Sequence, residues 1–273
     1  MIQKSKGELV YLQFPAINET GICRHLFSTR LGGVSEGYLG SMNLSYDRGD
    51  RKENVDENYR RIADVLQTDV ENFVLSDQTH TTNIRVVTKE DRGKGILKPR
   101  DYHDIDGLVT GEKNIVLTTL YADCVPLYFV DPVKKAIGLS HSGWKGTVNR
   151  MGLKTVLKMR ECFGSRPEDL VVCIGPSICG NCYEVGRDVY ARFLDAFQDA
   201  ENLPDIVTNF HEDGEKACLN LWEANLAVLS EAGVRRDHIS LPGICTCCHS
   251  DFLFSHRASR GKRGNLAAFL MLN

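Results

Sequence analysis

Residues 107–141 contain four apolar runs that are joined only by short polar connectors. The runs cover residues 107–110, 115–121, 125–130 and 136–141, and their lengths are typical of strands. Strands that follow one another so closely favour a mixed, largely antiparallel sheet over a regular βαβ repeat. This clustering of strands is the strongest restriction that the sequence places on the fold.

The remaining patterns add helices on either side of this sheet. Apolar residues at 55, 59, 62, 63 and 66 recur with helical spacing and predict a helix over residues 51–66. Further helices are predicted at 146–163, at 187–197 and around Leu219, Trp222, Leu226 and Leu229. Further strands are predicted at 73–75, 84–88, 171–174 and 251–254. No repeat or linker divides the chain, so we expect a single mixed α/β (α+β) domain over residues 1–273, with helices flanking a central sheet.

Charge and composition exclude several classes of function. The chain of 273 residues has a net charge of −3, which gives no electrostatic basis for binding nucleic acid or an anionic membrane. The N-terminus lacks an apolar signal region, and no apolar run reaches transmembrane length. We therefore expect a cytoplasmic protein whose ten cysteines are mostly reduced thiols. No GxGxxG or P-loop motif indicates a nucleotide-binding fold.

Asp123 and Cys124 interrupt the apolar run TTLYADCVPLYFV (118–130). A carboxylate among apolar neighbours is costly unless a charged or hydrogen-bonding group faces it. The Asp131–Pro132 step that ends the run predicts a turn into the next strand. The partner of this polar pair should therefore come from the strand that follows.

A hairpin offers one such partner, His141. If the turn contains only residues 132–133, Cys124 and His141 are directly opposed and their side chains share one face. A turn longer by one residue would oppose Ser142 to Cys124 instead, and Pro126 indicates a bulge or an edge strand.

His141 itself lies in GLSHSGWKGT (138–147), where a strand ends and a helix begins. Glycines at 143 and 146 allow a ligand to approach the backbone, and a helix N-terminus beside Lys145 suits an anion such as phosphate. The same pattern also fits an ordinary strand–helix turn with a solvated lysine.

A third candidate, His80, lies in the polar segment SDQTHTTNI (76–84). Together with Cys124 and His141 it would give zinc three protein ligands and one open position, which is the catalytic arrangement. The three residues are too far apart in the chain to form a local motif, and a lone histidine in a loop is usually a surface residue. Spacing alone leaves this hypothesis open.

A competing metal hypothesis uses the cysteines of CGNC (179–182) and CTCCHS (245–250). These could form a structural zinc site, but their spacings match no standard zinc finger. Clustered thiols are also common in cytoplasmic proteins, so the Cys–His–His trio is the favoured site.

The segments around the trio resemble the signature blocks of a known family. QTH around His80, ADCVP around Cys124 and HSGWKG around His141 are similar to those of the YfiH/YlmD family, long labelled "polyphenol oxidase" or "laccase domain". The resemblance continues in order through FSTRLGGVS (27–35), NLS, GPSI, EVG and FSHR. It spans nearly the whole chain.

The resemblance implies a metal, usually zinc, held by His80, Cys124 and His141, with Cu²⁺ a possible occupant of the same site. It also implies a broad purine nucleoside enzyme. Such enzymes cleave adenosine, inosine, guanosine and methylthioadenosine with phosphate, and they deaminate adenosine. The implied partners are therefore purine nucleosides and phosphate; neither nucleic acid nor membrane is expected, and the sequence leaves the oligomeric state open.

Five further residues complete the expected site. Asp123, beside the ligand cysteine, is expected to orient a ligand or transfer protons. Lys145 and Arg257 are expected to bind phosphate, and Asn43 and Gln78 to contact ribose or base. The chain departs from the usual family sequence at Tyr59 and His256, where arginine and tyrosine are common, which weakens the transfer of substrate contacts.

Three rival functions remain open. Cys124 and His141 could be the nucleophile and base of a metal-free cysteine hydrolase or deamidase, as their spacing resembles that in the cytotoxic necrotizing factor toxins. A copper-dependent phenol oxidase is disfavoured, because the eight histidines include no His-x-His pair. A non-enzymatic role as a binding partner is the third, although no residue argues for it.

Overall fold

The computed structural model describes all residues from Met1 to Asn273, arranged in fifteen strands and eight helices. The strands are β1 (Ile2–Lys6), β2 (Leu9–Gln13), β3 (Cys23–Ser28), β4 (Phe73–Leu75), β5 (Ile84–Val86), β6 (Gly107–Thr110), β7 (Val116–Tyr121), β8 (Val125–Asp131), β9 (Ala136–Ser142), β10 (Val171–Ile174), β11 (Glu184–Gly186), β12 (Val207–Thr208), β13 (Lys216–Leu219), β14 (Ile239–Ser240) and β15 (Leu266–Leu272). The helices are α1 (Pro15–Glu19), α2 (Lys52–Leu66), α3 (Trp144–Val148), α4 (Met151–Phe163), α5 (Arg187–Ala196), α6 (Leu203–Ile206), α7 (Leu221–Glu231) and α8 (His256–Ser259). No helix combines the length and the apolar character that crossing a membrane requires.

The strands form two six-stranded sheets and one small three-stranded sheet. Sheet one has the order β1-β2-β3-β15-β7-β4, sheet two has the order β14-β10-β8-β9-β6-β5, and the small sheet has the order β11-β13-β12. Most neighbours are antiparallel; β4–β7, β5–β6 and β10–β14 are parallel. The mixed α/β class is thus confirmed, but the expected central sheet is divided into two.

The two large sheets face each other, and helices cover their outer sides. In β8, Tyr128 belongs to the core between the sheets, whereas Leu127 and Phe129 belong to the core shared with α4, α5 and α7. In β15, Leu270 belongs to the core between the sheets and Phe269 to the core shared with α2. These strands are buried on both faces, which explains why they are apolar at nearly every position.

Truncating Phe269 should be the costliest single change in the outer core beneath α2. Its ring is fully buried and meets those of Phe73 and Tyr59 edge-on, at centroid distances of 5.7 and 6.4 Å. We expect Phe269→Ala to lower the free energy of unfolding by about 3–5 kcal/mol, measured by urea denaturation. Phe210→Ala, which removes a ring from a residue that is 52% exposed, is the matched control and should cost under about 1 kcal/mol. Equal losses would contradict this view of the core.

Most of the predicted elements are confirmed to within a few residues. Helix α2 begins one residue after its predicted start, and its predicted apolar face is buried. The strands predicted at 73–75, 107–110 and 171–174 match β4, β6 and β10. Leu219, predicted on the fourth helix, instead ends β13, and α7 begins at Leu221.

Two predicted elements are wrong, and eight of the fifteen strands were not predicted: β1, β2, β3 and β11 to β15. The helix expected over 146–163 is divided into α3 and α4, because Arg150 adopts a left-handed conformation with φ of 64° and its guanidinium bonds to Glu231. Residues 251–254 form a turn, in which Phe252 and Leu253 bond back to the carbonyl of His249. The continuous apolar run of β15 lacks the alternation that distinguishes a strand from a buried helix, so its sequence gives no strand signal.

Candidate functional site

The turn between β8 and β9 sets a register that differs from the predicted one. Four residues, 132–135, separate the strands, so that Val125 pairs with Ser142 and Pro126 with His141. The longer turn forms because the carboxylate of Asp131 accepts the N–H groups of the first residues after Pro132. The prediction that Cys124 is directly opposed to His141 is therefore wrong.

Cys124 instead lies in the short link 122–124 that leads from β7 in sheet one to β8 in sheet two. This link bends sharply, and Asp123 within it has a φ of 88°, a conformation that non-glycine residues seldom adopt. The link brings Cys124 to the end of β9, near His141. The two residues therefore meet where the chain crosses from sheet one to sheet two.

The structure brings the three predicted ligands together. One ligand atom from each of His80, Cys124 and His141 lies within 4.8 Å of those of the other two. Cys124 Sγ is 3.8 Å from His80 Nε2, and the two imidazole centroids are 5.0 Å apart. Around tetrahedral zinc, sulfur and nitrogen ligands would be about 3.5 Å apart. Zinc would therefore need only a small contraction of this group.

Asp106, which the sequence analysis missed, organises two of these three ligands. Its carboxylate is fully buried; it accepts the N–H groups of residues 79, 80 and 81 and the hydroxyl of Thr81. It also bonds His141 Nδ1 at 2.8 Å, and its backbone carbonyl accepts the N–H of His141. An Nδ1–H donor leaves Nε2 of His141 free for a metal, the usual carboxylate–histidine arrangement. A lone aspartate before a strand carries no sequence signal for this role.

Electrostatics favour the charged form of the ligand cysteine. Burial by itself would raise the pKa of the Cys124 thiol, but the neighbouring His141 outweighs it and the pKa falls. Burial would likewise lower the pKa of His141, but the Cys124 thiolate and Asp106 raise it. A thiolate is the form of cysteine that binds a metal or acts as a nucleophile.

The carboxylate of Asp123 bonds to distant loops and to none of the three ligands. One carboxylate oxygen accepts the hydroxyl of Thr246 at 2.7 Å, and the other accepts the backbone N–H of Arg257 at 2.7 Å. Its backbone carbonyl accepts the N–H of Ile178. These contacts are the hydrogen-bonding partners that a buried aspartate requires. Its expected roles, orienting a ligand or transferring protons, both stay predictions.

The two amide residues expected to contact substrate are already engaged within the protein. Asn43 is buried, donates to the Ser45 carbonyl and Asp50, and accepts the N–H groups of Ser45 and Asn265. Gln78 donates to the carbonyl of Leu120 and accepts its N–H. To contact a substrate, each amide would have to break one of these bonds or use a donor or acceptor site that is still free. The predicted contacts of Asn43 and Gln78 with substrate therefore stay predictions.

The two cationic residues expected to bind phosphate differ in their freedom. Lys145 is exposed in α3, makes no salt bridge and has its ammonium 5.7 Å from the Trp144 ring centre. The guanidinium of Arg257 donates to the carbonyls of Cys182 and Glu184. Lys145 is therefore the freer of the two to bind an anion. Helix α3 has only five residues, so its dipole is weaker than the predicted longer helix would provide.

Gly143 is the one position near the site where a side chain would collide with the ligands. A Cβ there would lie 3.0 Å from Cys124 Sγ and 3.0 Å from His80 Cδ2. Its φ of −68° is accessible to any residue, so an alanine here would cause a steric clash with the ligands but no backbone strain. The glycine in HSGWKG therefore permits the three ligands to meet.

We expect Gly143→Ala to lower the zinc affinity of the His80–Cys124–His141 site roughly tenfold or more, because overpacking costs about 1–3 kcal/mol. Competition with a fluorescent zinc chelator would measure the change. Gly146→Ala in the same segment is the matched control, because its Cβ would have 3.4 Å to the nearest atom. Equal affinities for the two variants would contradict a metal site formed by Cys124 and His80.

The chain matches one family model over most of its length. The model described as "Multi-copper polyphenol oxidoreductase laccase" matches residues 24–273. Among curated proteins, "Purine nucleoside phosphorylase YlmD" of Bacillus subtilis (strain 168) is 39% identical over 248 residues, which is 89% of this chain and 86% of that protein. "Purine nucleoside phosphorylase" of Bacteroides thetaiotaomicron is 34% identical over 263 residues and covers 96% of both chains.

Solved structures show that the likeness extends to the whole fold. The crystal structure of the hypothetical protein YfiH of Bacillus licheniformis superimposes with a TM-score of 0.89 at 32% identity and covers 99% of both chains. That of YlmD from Geobacillus stearothermophilus has a TM-score of 0.86 at 32% identity and covers 100% of this chain and 99% of the other. The family match, the curated relatives and the shared fold agree, and the chain belongs to the YfiH/YlmD family.

Proposed function

We propose that this chain is a zinc-dependent purine nucleoside enzyme. It would cleave adenosine, inosine, guanosine and methylthioadenosine with phosphate, giving the free base and a ribose 1-phosphate, and would also deaminate adenosine. The observation that carries the proposal is the convergence of His80, Cys124 and His141 within 4.8 Å. The names of the relatives supply the substrate class.

The donor set suits zinc in a catalytic role. One thiolate and two imidazoles are preferred zinc ligands, and three protein ligands leave one coordination position open. His80 is exposed, so this side of the site is accessible from solvent. Bound zinc would supply Lewis-acid polarisation of a substrate atom in the open position. Copper could occupy the same trio, but three ligands do not make a multicopper centre.

The chain's own residues would prepare the site for substrate. Asp106 holds His141 so that Nε2 faces the centre, and it fixes the backbone that carries His80. Asp123 ties the loops around Cys124, while Lys145 offers an exposed positive charge close to Gly143 for phosphate. Arg257, Asn43 and Gln78 remain proposed contacts.

Two measurements on one preparation would test this proposal. Elemental analysis should find zinc that depends on the trio, and a product assay should follow adenosine with and without phosphate. Adenine or hypoxanthine should appear only with phosphate, whereas inosine formed without phosphate would report deamination. A zinc-loaded protein that consumes no purine nucleoside under either condition would overturn the proposal.

Lys145→Ala should separate phosphate binding from the rest of the reaction. Losing a hydrogen bond to a charged group costs about 1.5–3 kcal/mol, so we expect the KM for phosphate to rise roughly 10- to 100-fold. Deamination of adenosine needs no phosphate and should be unchanged. The matched control is Lys158→Ala, which removes an ammonium that pairs with Glu161 on α4. An unchanged KM would remove Lys145 from the phosphate site.

One observation favours a second candidate, the metal-free cysteine hydrolase. Cys124, His141 and Asp106 form a chain of thiolate, imidazole and carboxylate, which is the order found in cysteine nucleophile sites. His80 has no part in that chemistry. Turnover that survives metal chelation but is lost on treatment with iodoacetamide would favour the hydrolase.

A cytoplasmic location fits a site that requires a reduced cysteine and forms part of this proposal. Fractionation of cells that carry a tagged chain would test it.

A further inference from the structure

Four cysteines from two distant segments meet at a second place in the fold. Cys179 and Cys182 follow β10, and Cys245 and Cys248 lie between β14 and α8. The four sulfur atoms lie within 4.8 Å of one another. Each pair has the Cys-x-x-Cys spacing found in structural zinc sites. Cys247 lies in the same segment but is outside the group.

The sulfur positions suit a tetrahedral ion. Zinc–thiolate bonds of about 2.3 Å place neighbouring sulfur atoms about 3.8 Å apart. The Sγ atoms of Cys182 and Cys248 are 3.4 Å apart, and no pair in the group exceeds 4.8 Å. A disulfide requires about 2.0 Å, and all four cysteines are free thiols. The spacing is therefore that of ligands around one ion.

Backbone groups fix the position of one of the sulfurs. The Sγ of Cys245 accepts the N–H of Cys179 at 3.2 Å and the N–H of Cys248 at 3.4 Å. The bond from Cys179 joins the two cysteine segments and holds the Cys245 sulfur inside the group. This observation is independent of the sulfur–sulfur distances.

The two segments also enclose Asp123, next to the ligand Cys124. Ile178 N–H bonds the backbone carbonyl of Asp123, and the Thr246 hydroxyl bonds its carboxylate. Arg257, whose N–H bonds the same carboxylate, donates from its guanidinium to the Cys182 carbonyl. An ion that holds the two cysteine segments together would therefore also hold Asp123, the neighbour of the ligand Cys124, in place.

We propose that Cys179, Cys182, Cys245 and Cys248 bind a second zinc ion that is structural. Four protein ligands fill a tetrahedral coordination sphere and leave no position for substrate. The ion joins the segment after β10 to the segment before α8. It is distinct from the His80–Cys124–His141 centre and does not depend on the function proposed for that centre.

Zinc analysis of variants tests the proposal directly. After exposure to zinc and gel filtration, Cys124→Ala should retain about one zinc ion per chain, held by the four cysteines. Adding Cys182→Ser should remove that ion, whereas adding Cys247→Ser in its place is the matched control and should leave it. With Co²⁺ in place of zinc, only the Cys182→Ser protein should lose the strong thiolate-to-metal absorption. A Cys124→Ala protein that holds no metal, or holds iron, would overturn the proposal.

A measurement on the unmutated protein covers the case in which Cys182→Ser does not fold. Alkylation followed by peptide mass spectrometry should show the four cysteines protected in zinc-loaded protein and modified after zinc is removed with a chelator. The exposed Cys162, which lies outside both sites, should react equally in both states. Equal labelling of the four cysteines in both states, or a disulfide between them in anaerobically purified protein, would refute the site.

Discussion

Cys124→Ala and His141→Ala should each abolish zinc binding at the trio and lower nucleoside turnover by more than about 100-fold. Loss of a residue that only supports a metal ligand already costs about 10- to 100-fold, so loss of a ligand itself should cost more. Each variant removes one of three converging donor atoms and leaves too few for a stable catalytic zinc site. Zinc content and steady-state rates should be measured on the same preparations.

The controls separate loss of the site from general damage. Cys162→Ala and His103→Ala change exposed residues outside the trio and should keep both zinc and turnover. Full turnover in a Cys124→Ala protein that lacks the zinc of the trio would contradict the proposed mechanism.

His80→Ala distinguishes the two candidate functions of the same site. A zinc enzyme needs His80 as a third ligand, whereas a cysteine nucleophile activated by His141 does not. We expect His80→Ala to lose the zinc of the trio and turnover together. If the zinc of the trio were absent and turnover retained, the metal-free hydrolase would be the better account.

Asp106→Asn should weaken both the metal centre and the fold. The variant keeps the size of the side chain but removes a charge that receives five hydrogen bonds from His141, Thr81 and the backbone of residues 79–81. We expect zinc affinity to fall about 10- to 100-fold, because the orientation of His141 depends on this carboxylate. Hydrogen bonds to a charged group contribute about 1.5–3 kcal/mol, so a loss of stability of similar size should accompany it.

The stability difference should depend on pH in a defined direction. Burial would raise the pKa of Asp106, but the bonds from His141 and Thr81 outweigh it, so the folded-state pKa lies below its usual value of about 3.9. The carboxylate therefore stabilises the fold fully above the unfolded-state pKa, and this contribution is lost as the pH falls through the folded-state pKa. Urea unfolding should show a constant gap between wild type and Asp106→Asn above about pH 5, which narrows below about pH 4.

Asp104→Asn is the matched control for this experiment. Asp104 is exposed and accepts the hydroxyl of Thr79, but it does not bond His141. Its variant should keep zinc affinity and show little change in stability. Zinc affinity that is equal for wild type and Asp106→Asn would show that the carboxylate does not position His141.

Local patterns in the sequence were sufficient for the longest helices and for seven of the fifteen strands. The apolar stripe of α2 and the short runs of β4, β6 and β10 depend on neighbours within one element, so spacing reveals them. The run of β15 is apolar on both faces, and the same residues could have formed a buried helix. Only its pairing with β3 and β7 decides its structure.

The site illustrates the same limit more sharply. Family resemblance named His80, Cys124 and His141, whereas hairpin reasoning reached Cys124 and His141 through a register that is wrong. The sequence does not show that β7 and β8 belong to different sheets, and Cys124 lies in the link where the chain crosses from one sheet to the other. Asp106 could not be found at all, because its importance consists of bonds to residues far from it in the chain.

The sequence by itself determined which segments are apolar, where the four longest helices and seven of the fifteen strands lie, and which residues carry chemistry. The tertiary structure alone decided that the strands form two large sheets and a small one, that Asp106 bonds to the His80 backbone and the His141 ring, and that four of the ten cysteines form one cluster. The physical reason is the separation along the chain of the residues that interact. Hydrophobic periodicity acts over a few residues, whereas a metal centre needs atoms a few ångströms apart that only long-range strand pairing and loop packing bring together.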